Sequence, residues 1–186
     1  MPVLCTRRRW WLILGLLASL VASLSACGAD RVETVAREKA LELLQDNVTA
    51  TITCLSSLVS RLDPAQGSGG LADELSECVD TTVLNRDDDY ILSDEVELPV
   101  GNETIGVSAV VSGDRIVLEL ATQGVGTGLA GVASARVTLT TCWQVKANLV
   151  EDVLEDPSEA ACNDSVLERI IPTDLVPFSD LHVPGV

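Results

Sequence analysis

The sequence predicts an α+β fold: an N-terminal helical hairpin packed on a roughly four-stranded antiparallel sheet. An irregular or helical C-terminal segment closes it, and two disulfides hold it. Three observations carry this expectation. Apolar residues recur at steps of three and four between residues 30 and 62, then alternate with a period of two between residues 96 and 145. Of six cysteines, four (Cys54, Cys78, Cys142 and Cys162) fall within these patterned regions or beside them. With 47% hydrophobic residues, the chain of 186 has ample material for one core, so disorder is not expected.

The N-terminal segment is read first. Arg7, Arg8 and Arg9 precede an apolar run from Trp10 to Ala26, broken only by Gly15, Ser19, Ser23 and Ser25. The run ends in Leu24-Ser25-Ala26-Cys27, with small residues before the cysteine. This pattern resembles the lipobox of bacterial lipoprotein signal peptides and covers about the first 28 residues. The resemblance implies a signal peptide over 1–26, acylation of the Cys27 thiol, and a short anchor linker over 27–30. A single extracytoplasmic domain then occupies 27–186, tethered to a membrane surface by its lipid. Two or more acyl chains give stable anchoring where one gives only marginal binding. An uncleaved anchor is the rival reading, since 17 residues span about 25 Å as a helix, near the short limit for a crossing. Thr6 to Trp10 also resembles a twin-arginine signal, which leaves the export route open.

Residues 30–62 read as helix, with Val32, Val35, Ala36, Ala40, Leu43, Val48, Ile52, Leu55, Val59 and Leu62 on the apolar stripe. The β-branched stretch Asn47 to Thr53 is expected to loosen it. Asp63-Pro64 ends it, and Gln66 to Gly70 turns the chain. A second helix is expected from Leu71 to Val79. Cys54 lies about 13 Å before the turn and Cys78 about 12 Å after it. The two thiols then sit at one level of an antiparallel hairpin, as a disulfide across it needs. That geometry selects Cys54–Cys78 and leaves Cys142–Cys162 as the second pair, each closing a loop of about 20–25 residues worth roughly 3 kcal/mol. An even cysteine count in an oxidising compartment favours disulfides over zinc, for which no C-x-x-C spacing exists.

Strands are expected from near Tyr90 onward. Val96, Leu98 and Val100 form the first run; Ile105, Val107, Ala109 and Val111 the second; Ile116, Leu118 and Leu120 the third; and Val137, Leu139, Thr141, Trp143 and Val145 the fourth. Gly101-Asn102 and Gly113-Asp114 are read as hairpin turns. The helices should cover the face carrying Leu98, Val107, Leu118 and Leu139. Cys142 points to the other face, so a bond to Cys162 would draw residues 149–171 across it. Pro172, Pro177 and Pro184 make the tail extended or irregular.

The charge excludes one class of function. The chain carries 12 basic and 28 acidic side chains; residues 1–26 hold three of the arginines and no acid, which leaves −19 from Cys27 onward. Nucleic-acid binding needs clustered cations, and this chain has the reverse. Anionic headgroups should repel the surface, so the acyl chains must supply the membrane affinity. Aromatic residues, at 3%, are scarce, which counts mildly against a carbohydrate platform or an aromatic-rich interface.

No motif supplies chemistry. Gly124 to Gly131 superficially resembles a phosphate loop, but no lysine follows and no strand–helix alternation surrounds it; a mobile loop or a glycine-flattened strand is expected. Asn85, Asp87 and Asp89 have the opening spacing of a calcium loop, yet Tyr90 stands where glycine is needed and Val96 where glutamate is needed. His182, the sole histidine, lies in the Pro-rich tail, and acid pairs such as Asp94/Glu95 and Glu151/Asp152 point to different sides. No metal and no cofactor are expected. The sequence therefore leads to a non-catalytic accessory or interaction module of the cell envelope, whose partners are the membrane and an envelope protein. A small-ligand or cation-binding lipoprotein is the alternative, separated from the first by whether helix and sheet enclose an apolar cavity.

Overall fold

The computed structural model describes residues 7–62, 67–99 and 101–183, with side chains described from residue 30 onward except at 67–69. The fold is a mixed one in which one long helix crosses an antiparallel sheet. Helix α1 (Arg7–Leu58) continues into a 3-10 turn at Val59–Arg61. The expected helix was 30–62, so its C-terminal limit agrees, while the helix extends N-terminally straight through position 27. Among the described residues, no helix is long and apolar enough to cross a membrane.

Val32, Ala36, Ala40, Leu44 and Val48 are buried at strict steps of four, followed by Thr51, Leu55, Leu58 and Leu62. A row at i+4 runs obliquely along a helix, which is why Val35 comes out exposed and Leu44, not Leu43, is fully buried. The threonine stretch does not loosen the helix. Thr49, Thr51 and Thr53 each donate their hydroxyl to the carbonyl four residues back, so the hydroxyls are satisfied on the helix itself and the helix stays continuous through them.

Helix α2 (Gly67–Leu75) starts and ends about four residues before the expected Leu71–Val79. Cys78 consequently sits in the turn that follows α2, and the Cys54–Cys78 disulfide joins α1 to that turn rather than to a second helix at the same level. Asp63 to Gln66, in the expected connection, lie outside the described residues, as do Val100 and Pro184.

Three long strands make the sheet: β1 (Thr104–Ser112), β2 (Arg115–Ala130) and β3 (Ala133–Asn148). They pair antiparallel in chain order, and β2 and β3 stay in register over all 16 residues, from Arg115↔Asn148 to Ala130↔Ala133. Three two-residue strands line the outer edge of β3: β4 (Val153–Leu154), β5 (Ser158–Glu159) and β6 (Asp174–Leu175), the last parallel to it. The sheet thus counts six strands instead of four, because the irregular tail hydrogen-bonds along an edge that would otherwise stay open.

Three strand expectations need correction. Tyr90 belongs to a short helix, α3 (Asp88–Ile91), because the Asp87 carboxylate caps its first turn by accepting from Tyr90 N–H. Residues 96–99 form no strand: Val96 and Leu98 alternate inward, but onto the second core, with no ladder partner. A bulge at Val107 shifts the register between Gly106 and Ser108. Ile105 and Val107 therefore join the second core while Ala109 faces α1, although period two places all three together.

Two cores flank the sheet. Ile116, Leu118, Leu120, Leu139, Trp143 and Val145 meet α1 on one face, joined by Phe178 of the tail, whose ring stacks on Trp143 at 5.6 Å. On the other face, Val83, Ile91, Val96 and Leu98 pack with Val166 and Ile170 of α4 (Asp164–Ile170) around the Cys142–Cys162 disulfide. That bond does draw the C-terminal segment over the second face, as the position of Cys142 implies.

Candidate functional site

The glycine stretch is a packing seam. Residues Gly124 to Ala130 are the last part of β2, so of the two expected states the glycine-bearing strand is the one adopted. Gly124, Gly126 and Gly128 occur at period two on the face toward α1. A Cβ at any of them would lie under 3.0 Å from a helix carbonyl oxygen: Ala40 for Gly124, Ala36 for Gly126 and Val32 for Gly128. Helix backbone and strand backbone touch here with no side chain between. Only glycine permits that approach, and Ala36 and Ala40 supply the matching small surface.

Toward the C-terminal half of α1, a buried chain of hydroxyls links helix to sheet. Trp143 donates its indole N–H to Thr122 Oγ1 at 2.9 Å, Thr122 and Thr104 are 2.9 Å apart, and Thr104 and Thr51 are 2.8 Å apart. Thr51 donates to the Asn47 carbonyl at 2.8 Å, which fixes the direction of every other bond. Thr104 must donate to Thr51, and Thr122 to Thr104, so each hydroxyl accepts once and donates once. Asn47 adds a bond from its side-chain amide to the Gln123 carbonyl at 2.7 Å. The sequence signal was the threonines at 104 and 122 on strands beside a buried tryptophan, a pattern that periodicity scores as neutral. Gln123 and Thr140, paired across β2 and β3, are buried on the opposite face, and each keeps one polar side-chain atom without a partner among the described residues.

Two clefts flank the core. One, of about 530 Å³, lies beside the Cys54–Cys78 disulfide and is lined by Asn47, Thr51, Glu77, Asp80, Glu103 and Thr104. Arg61 pairs with Glu77 there at 2.8 Å. The other, of about 520 Å³, lies beside Cys142–Cys162 and includes Arg86, Ser108, Glu119 and Asn163, with Ser108 donating to Glu119 at 2.7 Å. Both are polar surface clefts.

The sequence candidates are dispersed. Cys27 lies in α1, but its side chain is outside the described residues. Cys54 pairs with Cys78 and Cys142 with Cys162, with Cα separations of 5.6 and 5.2 Å. Asn85, with φ at 56°, spends its side chain on the edge of β1, donating to the Ala109 carbonyl and accepting from the Ala109 N–H. Asp87 is the cap of α3, so the calcium-loop spacing at 85, 87 and 89 is consumed by local structure. Among the described residues, no three His, Cys, Asp or Glu side chains converge as metal ligands. His182 is exposed, as are Asp94, Glu95, Glu151 and Asp152. No protein family, no curated protein and no solved structure matches the chain.

Proposed function

We propose that this protein is a lipid-anchored extracytoplasmic envelope protein acting as a non-catalytic accessory or interaction module. The observation that carries the reading is the packed seam: where α1 crosses β2, glycines bring the two backbones into contact, which leaves no room between them for a ligand. Two disulfides support the compartment, since such bonds persist where the environment is oxidising. The Leu24-Ser25-Ala26-Cys27 pattern supports the anchor. In a bacterial host, the chain should partition into detergent, with Cys27 carrying the mass of acyl groups. The Cys27→Ala variant should lose both. Unchanged mass and partitioning in that variant overturn the reading.

The polar cleft of about 530 Å³ beside Cys54–Cys78 favours the alternative, a small-ligand or cation-binding lipoprotein; its acids Glu77, Asp80 and Glu103 line it without converging on one point, and Glu77 is paired with Arg61. Calorimetric titration with calcium should show no site tighter than about millimolar. A micromolar site abolished by Asp80→Asn with Glu103→Gln puts the cation reading first, and one abolished by Asp87→Ala with Asp89→Ala restores the calcium loop.

A further inference from the structure

The two ends of the sheet differ in chemistry. At one end, the β1–β2 turn Gly113-Asp114 and the β3–β4 connection with Glu151 and Asp152 are charged and exposed, with exposed Val110, Val111, Val150 and Val153 among them, and they meet through a bond from Leu149 N–H to the Asp114 carbonyl. At the other end, β2 and β3 join through the two-residue loop Gly131-Val132. Gly131 has φ at 61°, the left-handed first position of a type II′ hairpin turn. Polar residues usually fill the rest of such a tip, because nothing packs on it. Here the next residue is Val132, fully exposed, and Leu129 before the loop is 80% exposed.

The stem of this arm carries little charge of its own, although the α1 turn packed on it exposes Asp30, Arg31 and Glu33. From Gly124 to Ala135 no residue is charged, and no acid occurs between Glu119 and Glu151, where only Arg136 and Lys146 carry charge. In a chain with 28 acids this is the longest acid-free stretch.

The seam fixes where the tip points. Ascending β2 descends α1: Gly124 meets Ala40, Gly126 meets Ala36, and Gly128 meets Val32. Two strand residues advance about 6.6 Å and four helix residues about 6 Å, so the elements keep pace. One further step sets Ala130 level with Gly28, beside Cys27. Tip and anchor position thus share one end of the molecule, and the acidic turns occupy the other.

We propose that the Leu129–Val132 tip is a second, apolar contact with the phospholipid surface, seated at the headgroup–acyl boundary beside the anchor. The proposal rests on the reading of Cys27 as the acylated residue. Isolated exposed apolar side chains are ordinary on any protein. Their place at the end that carries Cys27 selects a lipid surface as the occupant; the strand stem adds no negative charge of its own, and the acids at this end, Asp30 and Glu33, belong to α1. Two contacts, acyl chains and tip, hold the sheet upright and its acidic end away from the bilayer.

Tryptophan fluorescence of the full acylated chain on phosphatidylglycerol vesicles tests this, because Trp143 is buried and the other tryptophans, Trp10 and Trp11, lie in the expected signal peptide. Val132→Trp should shift its emission to the blue and be quenched several-fold more by brominated acyl chains than by aqueous iodide. Asp114→Trp, at the acidic end, should behave in the opposite way. An acylated, vesicle-bound Val132→Trp that iodide quenches and brominated lipid does not overturns the tip contact alone. Absence of acyl mass at Cys27 overturns the anchor reading and the tip contact with it.

Discussion

At the residue scale, close approach and directed hydrogen bonds decide what each position tolerates. Gly126 faces the Ala36 carbonyl, so Gly126→Ala must push β2 off the helix; overpacking of this kind costs about 3 kcal/mol. Gly101, with open space where a Cβ would go, is the matched control, and Gly101→Ala should stay within about 0.5 kcal/mol. Urea denaturation of both variants distinguishes a packing seam from a general intolerance of alanine. Thr122 is the second sensitive position. Thr122→Val keeps the volume but removes the acceptor for the Trp143 indole and the donor for Thr104. Leaving those buried groups unpaired should cost about 1–3 kcal/mol, read from denaturation followed by Trp143 emission. Neither effect is visible in the sequence beyond the residue names. A glycine at period two signals a flat strand, and only the opposing carbonyls of α1 show why it must be glycine.

At the element scale, the helix and the strands were legible where one face is buried and the other wet. The stripe of α1 and the alternation of residues 104–112, 115–120 and 136–145 all correspond to elements. The misreadings have particular causes. Val96 and Leu98 alternate because irregular backbone on the second core also buries every other side chain there. Tyr90 looked strand-like until Asp87 capped it into a helical turn. The bulge at Val107 reverses the facing of Ile105, and one inserted residue leaves no mark on a period-two pattern. The C-terminal cover depends on its bond: the Cys142–Cys162 pair closes a 20-residue separation beside β3 and α4. The double variant Cys142→Ala/Cys162→Ala should lose about 3 kcal/mol. Hydrogen exchange should rise first in α4, with β2 and α1 still protected. Equal exposure of both regions would mean that the bond stabilises the whole fold and not the cover.

At the scale of the whole molecule, the features combine into an object with two unlike ends, one expected to bear the anchor and one acidic. The detergent-partition and vesicle experiments both read that polarity. The sequence by itself determined the mixed class, the net negative charge and the two disulfide pairs, and it supplied the candidate acylation site. Each of these depends on composition, on short-range spacing or on residues about 20 apart. Tertiary structure alone decided the rest. The contact of Gly124, Gly126 and Gly128 with Val32, Ala36 and Ala40 joins segments nearly a hundred residues apart. The hydroxyl chain draws Thr51, Thr104, Thr122 and Trp143 from four places in the chain. The Leu129–Val132 tip lies toward the N-terminal part of α1 only because the seam runs antiparallel. A sequence records which side chains are apolar, but the partner that buries each one is chosen by how the elements cross, and that crossing was set here by backbone contact that side-chain patterns do not encode.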